Sequence, residues 1–140
     1  EYFCHKYKVS NKLRKELSFI AVNYTKFREE KNYLKKDLKK NVYNLGKNNI
    51  KKLLMFIYCV DSKFSTKLLK KIIEEIDKMD IPDFPFSGQY LIDQGLKDGR
   101  KIGYALKELE REWVQKDFNL KTNEITFIVD KIKKSNILNI

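Results

Sequence analysis

The sequence predicts an all-α fold, a single compact helical domain of about six to seven helices with a glycine-rich helix-turn-helix hairpin near residues 87–116. Apolar residues recur three and four positions apart through each long segment, which is the spacing of a helix face. Ser10, Ser65 and Ser87 each stand just before such a segment, where a hydroxyl can accept from an orphan amide of the first turn. Four of the five glycines, the second of the two prolines and the only tryptophan fall between Phe84 and Trp113, so backbone geometry is most tightly specified there.

Ser10 caps a first helix running to about Glu30, with Leu13, Leu17, Ile20, Ala21, Tyr24 and Phe27 as its apolar face. A second spans about Tyr33 to Leu45 and stops at Gly46, with Leu34, Leu38, Val42 and Leu45 inward and lysines outward. The third, about Asn48 to Val60, is apolar on enough sides to be central, using Ile50, Leu53, Leu54, Ile57 and Tyr58. Cys59 sits in that run as a small buried residue would. Ser65 caps a fourth helix to about Met79, carried by Leu68, Leu69, Ile72, Ile73 and Ile76. Pro82 and Pro85 then forbid helix.

Ser87 and Gly88 open a short helix over Gln89 to Gln94, and Gly95 ends it, because only glycine enters the left-handed C-cap conformation without a side-chain penalty. Leu96-Lys97-Asp98-Gly99 forms a turn, after which Ile102, Ala105, Leu106, Leu109 and Trp113 define one apolar stripe. Gly103 lies inside this helix, at a cost of roughly 1 kcal/mol relative to alanine, which predicts a close approach by the preceding helix. Trp113 on the stripe is a core residue. Thr122 is read as the cap of a last helix carrying Ile125, Phe127, Ile128, Val129 and Ile132. Its β-branched run has no partner strand in the sequence.

At 140 residues and 16.8 kDa the chain can bury one core and is too short for a typical two-domain enzyme. It contains no apolar run long enough to span a membrane and no signal-peptide pattern. Opening at Glu1-Tyr2-Phe3-Cys4 without an initiator methionine, it reads as a fragment of a longer chain. Two cysteines, Cys4 and Cys59, are too few for a disulfide framework, and reduced thiols fit the cytoplasm. Cys4-His5 has no second ligand pair at zinc spacing, so no metal site is read. His5 has no partners for a triad. No Asp-x-Asp pair of the kind that holds nucleotide-aligning metals is present, so no catalytic residue is assigned.

Charge is distributed unevenly. Residues 1–81 hold 20 Lys and Arg against 10 Asp and Glu, a net of +10, whereas residues 82–140 carry +1. Within the first part, Lys31, Lys35, Lys36, Lys39, Lys40, Lys47, Lys51 and Lys52 face Asp37 alone, with Tyr33 and Tyr43 interleaved. Such density repels itself unless a polyanion neutralises it, and these lysines are candidate contacts to an RNA backbone. In the hairpin, Gly95-x-x-x-Gly99-x-x-x-Gly103 lacks the Lys-Ser/Thr of a P-loop. Its glycines read as cap and packing residues; amides at the second helix start, with Lys97, Arg100 and Lys101 beside them, are an alternative phosphate seat.

The run Phe84-Pro85-x-Ser87-Gly88-x-x-Leu91-Ile92-x-x-Gly95-x-x-x-Gly99-x-x-Ile102-Gly103-x-x-Leu106-x-x-Leu109-Glu110-x-x-Trp113 resembles the C-terminal part of bacterial tRNA nucleotidyltransferases, the CCA-adding enzymes, and their poly(A) polymerase relatives. Val9-Ser10-Asn11-Lys12 and Val42-Tyr43-Asn44-Leu45-Gly46 resemble further segments of that family in the same order. Family members usually carry proline where this chain has Asp98 and Arg100. The resemblance implies an all-helical body and tail that holds the acceptor and T arm of tRNA. A catalytic head, preceding residue 1, would add CCA or A from CTP and ATP with magnesium, and the fragment itself would hold no cofactor.

The other class of protein open to this sequence is a basic helical module that binds nucleic acid or a protein and keeps the glycine hairpin only for packing. A helix-hairpin-helix DNA binder is its sharpest form, but Gly95-Leu96-Lys97 stops one glycine short of the usual Gly-hydrophobic-Gly turn.

Overall fold

The computed structural model describes residues 2–30 and 32–135, without the side chains of residues 3 and 4. Eight helices and no strand occur among the described residues: α1 (Tyr2–Lys6), α2 (Asn11–Glu29), α3 (Leu38–Leu45), α4 (Lys47–Val60), α5 (Thr66–Lys78), α6 (Gly88–Asp93), α7 (Gly99–Gln115) and α8 (Thr122–Lys134). None of them is long and apolar enough to cross a membrane. The all-α expectation holds, and α1 is an addition that the sequence pattern did not show. The chain divides into two compact units, residues 1–81 and 82–140, at the same point where the charge changes character.

In the first unit α4 is central, packing against α2, α3 and α5. Its Ile50, Leu53, Leu54 and Ile57 are fully buried, so Leu54→Ala is expected to cost about 2–5 kcal/mol. Ser10 caps α2 by accepting from the Leu13 amide at 3.3 Å, and Ser65 caps α5 by accepting from Leu68 at 3.2 Å. Gly46, with φ +83°, joins α3 to α4 in a conformation that a side chain would strain.

Several expectations for this unit are corrected. The second helix begins at Leu38 and not at Tyr33, because residues 32–37 form consecutive turns. The Tyr33 side chain is buried there, and its hydroxyl donates to Oδ1 of Asn23 at 3.0 Å. Asn23 is the buried polar residue among those described, and its Nδ2 donates to the Phe19 carbonyl at 2.8 Å. That tertiary anchor outweighs the helical spacing of Leu34 and Leu38. Leu13 and Leu17 are exposed, since only the Tyr24 and Phe27 end of the α2 stripe meets the core. Leu68 and Tyr58 are exposed as well, and so is the Cys59 thiol, which lies off the buried stripe of α4.

In the second unit α7 packs against both α6 and α8. Leu91, Leu96, Ala105, Leu109, Ile125, Val129 and Ile132 make the core. Trp113 is buried, edge-on to Phe84 at 5.5 Å and to Phe118 at 5.0 Å. Ser87 caps α6 by accepting from the Tyr90 amide at 3.2 Å. Gly95 has φ +94° and ends α6 in a Schellman motif: its own amide donates to Ile92 at 2.8 Å and the Leu96 amide to Leu91 at 3.0 Å. Both leucines of that motif are buried, which adds the apolar contact that accompanies it.

Two readings of this unit change. Gly103 is exposed, and a Cβ there would meet nothing within 4 Å, so no helix approaches it closely. Where α6 nears α7 the glycine is Gly88, 3.6 Å from Ile102 Cγ2 by an added Cβ, an ordinary contact. Gly99 faces open space. Thr122 is the first residue of α8 and not its cap; Lys121 precedes it, with the Glu124 carboxylate accepting from the Lys121 amide at 2.9 Å.

Candidate nucleic-acid interface

The turns at 32–37 and the start of α3 decide where the basic cluster points. Tyr33 and Leu38 are held in the core, and Asn41 Nδ2 donates to the Tyr33 carbonyl at 2.8 Å, which pins the turn from both sides. Burial, with the Glu30 carboxylate as a smaller contributor, pushes the Tyr33 hydroxyl above its ordinary value of 10.0 and keeps it a donor. Between these anchors Lys35 and Lys36 are exposed, and among the described residues no hydrogen bond or ion pair engages their side chains. Lys39 is exposed and Lys40 half-buried; each also interacts within the protein. Tyr33 is closed to any base, and Tyr43 is half-buried. Lys31 lies outside the described residues.

Three lysines of the cluster have structural work. Lys47 Nζ donates to the carbonyls of Met79 at 2.8 Å and Asp77 at 3.3 Å, satisfying the C-terminal end of α5 with a cation. Lys51 pairs with the Asp77 carboxylate. Lys52 pairs with Glu16 at 2.8 Å, tying α4 to α2, and its hydrogen bond holds the Glu16 carboxyl below 4.5.

The hairpin separates in the same way. Lys97 and Arg100 are exposed. Lys101 Nζ donates to the Lys133 carbonyl at 2.9 Å and so serves the end of α8. At the start of α7 the Asp98 carboxylate accepts from the Arg100 amide at 2.8 Å, so a negative group already occupies the position offered to a phosphate.

Sequence reasoning passed over one feature of the first unit, a groove lined in part by Lys35, Leu68 and Lys71. Its signal was present in the Leu68 and Lys71 spacing on α5, but the partners come from α2 and the turn. Among the described residues no group of three or more His, Cys, Asp or Glu side chains is placed together to hold a metal ion.

An all-α chain with a strongly basic helical unit and a glycine-framed hairpin is the class that these observations define. Residues 1–131 match the family model described as "tRNA nucleotidyltransferase domain 2 putative", and the chain belongs to that family. It is similar to the mitochondrial CCA tRNA nucleotidyltransferase 1 of Homo sapiens, with 27% identity over 60 residues, and to that of Mus musculus, with 25% over 60 residues. Each alignment covers 43% of this chain and 14% of the relative, so the match spans about a seventh of those proteins. No solved structure matches the chain.

Proposed function

We propose that this chain is the tRNA-holding part of a CCA-adding or poly(A)-adding enzyme, gripping the phosphate backbone of the acceptor and T arm. The observation that carries this is the first unit's net charge of +10, together with Lys35 and Lys36 standing in water on a pinned turn, while Lys51 and Lys52 are paired with carboxylates and Lys47 is bonded to backbone carbonyls within the fold. Lys97 and Arg100 add a basic edge in the second unit. Membership of the tRNA nucleotidyltransferase family supports tRNA as the polyanion.

On this reading nucleotidyl transfer from CTP or ATP, with the magnesium it uses, falls to a separate catalytic head, in keeping with membership of the tRNA nucleotidyltransferase family. The chain alone is inactive and works in the cytoplasm, where the exposed Cys59 thiol stays reduced.

The test is competition among intact tRNA, tRNA lacking its elbow, and duplex DNA of equal charge. Preference for intact tRNA that persists near physiological salt supports the role. Equal binding that vanishes for all three as salt rises would reduce it to counterion release on a basic bundle.

A further inference from the structure

Resting on that RNA-holding role, we propose that the groove between α2, the 32–37 turn and α5 receives an unpaired nucleotide of the bound RNA. Its volume is about 580 Å³, within the range of small-molecule sites and ample for one nucleotide. Phe27, Leu34, Phe64 and Leu68 line it. Leu68 is left 40% exposed there, an apolar surface in water that a flat base would cover.

The rim sets the class of ligand. Lys35 and Lys71 are both exposed, and among the described residues neither has an ion pair, in contrast to the lysines that hold the fold together. They are placed to meet the phosphates on either side of a splayed base. Glu30 and Glu75 stand at the same rim and are also exposed. Two carboxylates would repel a ligand that offered phosphate alone, whereas they accept hydrogen bonds from an exocyclic amino group. A nucleotide supplies all three features at once: an apolar face, an anionic backbone and, in adenine, cytosine and guanine, an amino donor. An uncharged apolar protein segment would leave both lysines unanswered.

The experiment compares binding of the 140-residue chain to an oligoadenylate strand and to a ribose-phosphate strand of equal length and charge that lacks bases. The base-bearing strand is expected to bind about tenfold tighter or more, with the same salt slope. Oligouridylate, lacking the amino donor, is expected to fall between them. Leu68→Gln, at an exposed position, should shrink the ratio, and Lys71→Gln should weaken both strands and lower the salt slope by about 1. Equal affinity for the base-bearing and baseless strands, or a ratio unmoved by Leu68→Gln, would overturn the nucleotide groove while leaving the phosphate-holding role intact. Binding of intact tRNA with binding of neither strand would overturn the groove and leave the tRNA-holding role, whereas salt-dependent binding of none of the three would remove that role and the groove's assignment with it.

Discussion

Lys47 Nζ lies 2.8 Å from the carbonyl oxygen of Met79, across 32 residues of sequence, and so a lysine that looks like part of an RNA-facing cluster closes the end of a helix. Lys47→Gln is therefore expected to lower stability by about 1 kcal/mol through the lost cation at that helix end, with RNA salt dependence unchanged. Denaturant unfolding and a salt titration on the same variant check both halves.

Tyr33→Phe removes the donor to Asn23 Oδ1 and leaves a buried acceptor unsatisfied. A loss of about 1–3 kcal/mol is expected, read as a lower denaturant midpoint at unchanged slope. A midpoint identical to the parent's would mean that the turn is not anchored there.

Two glycines of one motif should respond with opposite sign. Gly95→Ala places a side chain at φ +94° and is expected to cost about 1–2 kcal/mol. Gly103→Ala meets open space within α7 and is expected to stabilise by about 0.5–1 kcal/mol. Melting temperatures of the two variants decide the matter.

Glu124 accepts from the Lys116 ammonium and from the Lys121 amide, and these bonds hold its carboxyl below the ordinary 4.5. Because the folded value is the lower one, the carboxylate's contribution is fully present above about pH 4.5 and is lost as pH falls through the folded value. Glu124→Gln should then be less stable than the parent at neutral pH, with the difference closing in acid. Urea midpoints measured from neutral pH down to about pH 3 would show the convergence; a constant gap would contradict it.

Local chemistry made much of the fold legible. Ser10, Ser65 and Ser87 act as caps because a hydroxyl one turn from a free amide needs no tertiary context, and Gly95 ends α6 for the same local reason. The β-branched run at residues 125–129 folds as helix, with Ile125, Val129 and Ile132 buried at helical spacing. Long-range pairing was not legible. Tyr33 leaves the helix pattern because its hydroxyl finds Asn23, and Leu13 and Leu17 continue a stripe past the point where α2 has a core to cover. Gly103 carried the wrong inference, since a glycine in a helix does not by itself reveal a neighbour. In the basic cluster, sequence alone could not separate Lys35 and Lys36 from Lys47, Lys51 and Lys52, whose partners lie 26 to 36 residues away.

The most direct measurement is the salt dependence of tRNA binding for the parent chain and for the Lys35→Gln/Lys36→Gln variant. If these two side chains meet phosphates, the variant binds more weakly and its slope of log affinity against log salt is shallower by about 2, with its melting temperature unchanged. An identical slope in the two proteins would show that the turn at 32–37 is solvated surface and that tRNA is not held there.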